Sequence, residues 1–474
     1  MKLSSALLLS GLLLTPLFAK TYTVDEAIKI ALLNNQRKNI SVQDQAIAEA
    51  KYKQALSANY PTLDVTLVAN RKDQSFIDKT DYNFDASALG SILGSAFGSA
   101  LGPAVGAALG SALNSGSLAI PIKYTHTVMG RDTQTAKIEA QYALYTGGKI
   151  TALQKQAKAG IEYAKEASKL TDDKIAYNVK KYYAATILSQ KIQKLMQDTV
   201  DRMQATYELT ETFYKGKSMK VKKTDYLRAK MMLLSMKSIL ISLKNATKLA
   251  KSALSFEMGL GDSSKVDIKA NSYKAYKLEG SLKDYYQKLY TYNHMIKQTN
   301  IGLEAMDAKI DEAKSGYFPM VALYANAQSL HNNKDGGIIN SQNNDSWNIG
   351  VAITYNIFSG GLTTAQEQTA RAEKLRLKSQ QAFLKSGLKL KAKKAFLNAK
   401  TAQNQMKIMQ EATKTAKENS DLNFRAYQEE MVETKDVLES QFMSSLTEAS
   451  FYKTQYASLI NEAELEYLVG VSLK

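Results

Sequence analysis

The chain has 474 residues, with 62 Lys+Arg against 45 Asp+Glu for a net charge of +17, and no cysteine. A composition that is 45% hydrophobic and 23% charged excludes a disordered polar chain and a polytopic helical membrane protein. The missing cysteine excludes disulfides, Cys-ligated zinc, iron–sulfur clusters, thiol nucleophiles and a lipid anchor on cysteine, and the three histidines (His126, His294, His331) are too far apart in sequence to suggest a metal site.

At the N-terminus, Lys2 precedes a short apolar run over 6–14, and Leu17-Phe18-Ala19 offers a cleavage point. This pattern predicts an export signal over 1–19, too short to span a bilayer, which needs about 20 apolar residues. For an exported chain a basic balance points to partner proteins or anionic lipid rather than to nucleic acid.

The remainder reads as two tandem copies, 20–270 and 271–474. Thr23-Val24-Asp25-Glu26 opens a helical pattern with a capping-box spacing, and Ser281-Leu282-Lys283-Asp284 repeats it 258 residues later. Tyr60-Pro61 returns at the same offset as Phe318-Pro319. Tyr145-Thr146-Gly147-Gly148 returns as Phe358-Ser359-Gly360-Gly361, offset by 213, as does Tyr214 as Tyr427. Thr224-Asp225 matches Lys435-Asp436, and Gly259 matches Gly470. In each copy a helix of about 35 residues is expected to end near Pro61 or Pro319, because the residue before proline is pushed to extended geometry.

Strands follow at about 62–73 and 135–146, and again at about 319–330 and 346–358. Leu63, Val65 and Leu67 alternate with Asp64, Thr66 and Val68, and Ile138, Ala140, Tyr142 and Leu144 with Lys137, Glu139 and Gln141. In the second copy Val321, Leu323 and Ala325 oppose Tyr324 and Asn326, while Trp347, Ile349, Val351, Ile353, Tyr355 and Ile357 share one face. Four strands, each apolar on one side, carry the signature of a transmembrane barrel. The first pair brackets a Gly/Ala/Ser-rich insert over 86–118, in which Gly90, Gly94, Gly98, Gly102, Gly106 and Gly110 recur every four residues. That spacing suits close helix packing, and the expected place is the outer loop of the barrel.

Long helical regions are expected over 149–258 and 362–469, since no proline lies in 122–318 or 320–474 and good helix formers dominate. The arm 362–428 would run about 100 Å at 1.5 Å per residue, too long for a compact domain. Ala392, Ala395, Phe396, Ala399, Ala402, Met406 and Met409 mark one helix face, and Ile175, Val179, Tyr182 and Tyr183 another. Reversals are expected near Gly216 and 428–434, so each copy is a β-hairpin joined to a long antiparallel helical hairpin. Four strands cannot seal a barrel, and a membrane-spanning sheet must close, so chains must share one.

This order of marks, met twice, resembles the TolC family of outer-membrane efflux proteins. The resemblance rests on Thr23 to Glu26, on Pro61 and Pro319, on Gly147-Gly148 and Gly360-Gly361, on Thr224-Asp225, and on Tyr427 followed by Asp436-Val437-Leu438-Glu439. It covers nearly all of 20–474. It implies a mainly α fold with a β-barrel part: a homotrimer whose 12-stranded barrel in outer-membrane lipid continues into a periplasmic α-helical barrel. It also implies an exit duct for small molecules or secreted proteins, working with a periplasmic adaptor and an inner-membrane pump, with no catalysis, no cofactor and no nucleic acid. By the same resemblance the periplasmic gate falls on Asp436, Glu439, Tyr427 and Asp225, with the acidic pair facing the opening and favouring cations. Where the family often has a glycine and a basic residue after the tyrosine, this chain has Glu430 and Val432, leaving Lys435 or the basic tip to replace the latch. That tip (Lys215, Lys217, Lys220, Lys222, Lys223) is the candidate adaptor-docking surface.

Rival readings are a secreted helical pore-former, which does not need the second half to copy the first, and a periplasmic coiled-coil adaptor, which would lack the four alternating strands. An enzyme is the weakest reading, since no triad, metal-ligand spacing or phosphate-cradling loop is present.

Overall fold

The computed structural model describes residues 20–71, 78–83, 121–126, 132–261, 266–275, 280–332 and 345–470, with 103, 107, 111 and 278. The expected export signal, nearly all of the glycine-rich insert and residues 471–474 lie outside the described residues. The chain divides into two compact units, one of 1–39, 171–291 and 389–474, the other of 40–170 and 292–388.

The second unit holds a four-stranded antiparallel sheet in the order β2 (Thr62–Arg71), β5 (Asp132–Tyr145), β7 (Met320–Asn332), β8 (Asp345–Thr354). The register sets Leu63 opposite Ala140, Val65 opposite Ile138, Leu323 opposite Val351 and Ala325 opposite Ile349, so the apolar residues of all four strands share one face. That face is the exposed one: Leu67 and Trp347 are each 76% accessible and Ile353 70%, whereas Lys137, Asn326 and Gln328 on the polar face are buried. A water-soluble sheet is built the other way round. Asp78–Asn83 (β3) and Pro121–His126 (β4) pair separately between β2 and β5, a ladder the sequence pattern did not announce.

The strands turn into helices at paired glycines. Gly147 and Gly148 have φ of 62° and 89°, and Gly360 and Gly361 have 61° and 84°, a left-handed backbone that disfavours any side chain. Helices α3 (Lys149–Lys215) and α7 (Leu362–Gln428), each of 67 residues, begin there and supply residues to both units. Within the second unit, buried Glu312 accepts from Gln156 Nε2 at 3.1 Å, and Lys309 pairs with Glu373. Burial raises the Glu312 carboxyl and lowers the neighbouring Lys149 ammonium.

The expected 35-residue helices are each broken in two. Val24–Asn34 (α1) is followed by Gln36–Ser57 (α2), and Leu282–Tyr292 (α5) by His294–Lys314 (α6). The break falls on Asn35 and Asn293, at the shared repeat offset. Both residues have extended backbone, and each side-chain oxygen caps the next helix, accepting from Arg37 N at 2.9 Å and from Met295 N at 3.0 Å. Helix propensity alone does not register such a break, because asparagine is only mildly unfavourable inside a helix. The Thr23–Glu26 capping box is formed, and Ser281 N donates to Asp284 in the same way at 2.7 Å.

The first unit contains the remaining helices, α4 (Lys223–Glu257) and α8 (Thr434–Val469), and a small parallel pair, β1 (Lys20–Tyr22) with β6 (Val266–Ile268). Its core includes Ile175, Val179 and Tyr183, all fully buried, packed with Val24, Leu254 and Met258. The Tyr183 hydroxyl lies 2.9 Å from the carbonyl oxygens of Tyr22 and Lys269. Ala392, Ala395, Ala399 and Ala402 are all buried, small side chains that let neighbouring helices come close.

Candidate functional site

The tips of both helical hairpins lie in the first unit. Helix α3 ends at Lys215, and α4 resumes at Lys223; α7 ends at Gln428, and α8 resumes at Thr434. Each tip reverses through a residue in left-handed conformation, Lys217 (φ 57°) in the first and Glu430 (φ 54°) in the second. The same closing bonds recur: Ser218 N to Phe213 O at 3.0 Å, and Met431 N to Ala426 O at 2.8 Å. The tips are also joined to each other. Ser218 Oγ donates to Glu430 Oε2 at 3.0 Å, and Lys220 Nζ donates to the Glu430 carbonyl oxygen at 2.9 Å.

Tyr427 is 2% exposed, and its hydroxyl sits between Thr210 Oγ1 at 2.8 Å and Thr434 Oγ1 at 2.9 Å. Its ring meets Phe213 edge-on at 5.7 Å. This is the end of a seam of hydroxyl contacts that continues with Gln441 Nε2 to Thr206 Oγ1 at 2.9 Å and Ser445 Oγ to Thr199 Oγ1 at 2.6 Å. None of these partners stands out in the sequence. The available signal was Thr199, Thr206 and Thr210, sharing with Val200 and Met203 the buried face of one helix.

Asp225 and Asp436 do equivalent work one repeat apart. Each is the third residue of its helix and accepts from the backbone N–H before the first turn, Lys222 N at 3.0 Å and Glu433 N at 3.4 Å. Asp225 also faces Arg228 at 3.9 Å. It is not bonded to Tyr427 in this structure. Asp436 and Glu439 are both exposed on α8, while Val437 and Leu438 between them are buried, which leaves the two carboxylates together on the free face.

The five lysines of the first tip are all exposed. Lys215 pairs with Glu211 at 3.2 Å, Lys220 reaches Glu430, and Lys222 and Lys223 flank the start of α4. Met219 between them is 99% exposed and Met431 of the other tip 77%. Beneath the lysines Tyr226 stacks on Tyr214 at 5.5 Å, and its hydroxyl lies 3.2 Å from that of Tyr207. The bond to Tyr226, with Glu211 nearby, pushes the Tyr207 phenol up to about 12. Among the described residues no group of three or more His, Asp or Glu is placed to hold a metal ion, and no helix is long and apolar enough to cross a membrane. Pro61 and Pro319 precede β2 and β7, each one residue before the strand's first residue.

The sequence model of outer membrane efflux proteins matches residues 285–471. Among solved structures, CusC is similar over 96% of this chain and 94% of its own, with a TM-score of 0.73 and 16% identity. VceC from Vibrio cholerae follows at 0.70 and 16% identity, over 95% of this chain and 97% of its own. The MtrE outer membrane channel of Neisseria gonorrhoeae, in its open state, gives 0.70 and 15% over 95% and 90%. No curated protein matches the sequence significantly. The sequence pattern of outer membrane efflux proteins thus covers most of the second half of the chain, and the fold of these solved channels extends over nearly all of it.

Proposed function

We propose that the chain is the outer-membrane exit duct of a tripartite efflux or type I secretion system. The observation that carries this is the reversed sheet, with its apolar face bare and its polar face sheltered on the central strands β5 and β7. Such a surface is stable only against lipid, and a sheet in lipid must close on itself. The edges β2 and β8 have no partner strand in the four-stranded sheet, which fits closure with further copies. Three copies make the 12-stranded barrel.

A second observation favours assembly. On α4, Leu227, Met231, Leu234, Ile241, Leu249 and Phe256 are all at least half exposed, at spacings of four, three, seven, eight and seven. That is a coiled-coil seam with its partner missing, and a neighbouring subunit supplies it. In the assembled tube the hairpin tips would form the periplasmic gate, with Asp436 and Glu439 as its acidic ring and Tyr427 holding the closed packing. The lysine-rich tip is the docking surface for a periplasmic adaptor, which joins the duct to an inner-membrane pump.

Single-channel recording in planar bilayers tests the reading. The chain should conduct, and divalent cations should block it from the side of the helical tips. Asp436→Asn plus Glu439→Gln should weaken that block, with an amide oxygen still available to cap α8. A conducting channel whose block survives the double change removes the gate assignment; no conductance removes the duct itself.

A further inference from the structure

The polar face of the four-stranded sheet is charged in only two adjacent rows. The register places Asp64 opposite Glu139, Glu139 opposite Asn326 and Asn326 opposite Asn348, one row crossing all four strands. Its neighbour is Thr66, Lys137, Gln328 and Ser346. The other positions of this face within the four strands are uncharged, mostly Thr, Asn, Gln, Ala, Val and Leu. Hydrogen-bonding groups alone would make this face polar, so the two acidic side chains and one basic side chain are additions to what a polar face needs.

Within the rows the charges are unequal. Glu139 and Lys137 lie two apart on one strand, point to the same side and form an ion pair, with Lys137 only 1% exposed. Asn326 flanks Glu139 and donates from Nδ2 to Asn348 Oδ1 at 2.9 Å. Two carboxylates directly opposite each other repel, and Lys137 offsets one of them. Asp64 is exposed, with no ion pair among the described residues that answers its charge. Each chain therefore carries one net negative charge in this band.

We propose that Asp64, Glu139 and Lys137 form the charge-selective band of the barrel lumen, with Asp64 as the carboxylate that favours passing cations and Lys137 as the residue that silences Glu139. Rings of charged side chains set ion preference in this way when several copies surround one passage. The proposal rests on the duct reading, since only a closed barrel makes this face a lumen.

The test is the reversal potential of the full-length protein in planar bilayers under a potassium chloride gradient. Every channel carries Asp436→Asn plus Glu439→Gln, so that the helical tips do not dominate. Lys137→Gln should raise the preference for potassium. Asp64→Asn should lower it, and Asp64→Asn with Glu139→Gln should turn the channel toward chloride. Because strand variants can misfold, a second arm adds charge after assembly. The chain has no cysteine, so Asp64→Cys gives a single thiol for a positively or negatively charged methanethiosulfonate reagent. The positive label should shift the reversal potential toward that of chloride, and the negative one toward that of potassium. Conducting channels that ignore both the charge series and the labels overturn the band and leave the duct standing. Failure of every form to conduct, the parent included, overturns both.

Discussion

Tyr427 shows how much a single hydroxyl can hold. It lies between two threonines, one on α3 and one opening α8, in a place with almost no access to water. Tyr427→Phe keeps the ring against Phe213 but leaves the Thr434 hydroxyl with one partner fewer, a loss of about 1–2 kcal/mol. Faster amide exchange at 427–441 and longer open times in bilayers are the expected outcomes; unchanged exchange would mean the hydroxyl is idle. The repeat offset made Tyr427 visible beside Tyr214, but not its partners, because threonine inside a helix reads as neutral until the facing helix is known. At the strand-to-helix turns the two glycines differ. A Cβ on Gly147 would lie 2.7 Å from Ser315 O and 2.8 Å from Phe318 Cβ, whereas one on Gly148 meets nothing within 4 Å. Both have positive φ, so Gly148→Ala costs about 1 kcal/mol of backbone strain. Gly147→Ala adds a collision to that strain and should lower the yield of folded protein far more, as thermal unfolding of the two variants would show.

Among the elements, the strands were legible because period-2 alternation survives whichever face meets solvent. What alternation could not tell is which face is bare, and that is what separates a membrane sheet from a soluble one. The helix breaks were not legible from composition, yet Asn35 and Asn293 stand at the offset already known from Pro61 and Pro319. The helices also bury charge. Glu312 on α6 is pushed up by burial, against the pull of Gln156, Lys149 and Lys309. A raised carboxyl holds its proton more tightly in the folded chain, so its contribution is complete below the ordinary value of 4.5 and fades as pH rises through the shifted one. Glu312→Gln removes that titration. The variant should match the parent near about pH 4 and unfold at a higher temperature near about pH 8. A parent whose stability relative to the variant does not change with pH would contradict the burial argument.

At the level of the whole molecule, the recurring turn and cap marks were the most readable feature, since such residues keep their order where core residues drift. The number three came from the resemblance and not from the residues themselves, since one chain alone shows only that the α4 stripe is exposed. Leu234→Lys with Ile241→Lys places two charges on the α4 stripe, where burial of an unpaired charge is prohibitive. Light scattering in detergent should then report single subunits where the parent forms the proposed trimer; a variant that assembles like the parent would move the seam elsewhere. The strand edges add a consequence for inheritance. If copies close the sheet edge to edge as proposed, a chain damaged only at its hairpin tips keeps β2 and β8 whole, enters the ring beside healthy copies and spoils the conduit they would share. Such alleles should act dominantly, whereas alleles that ruin the edge strands should be silent in the presence of a normal copy.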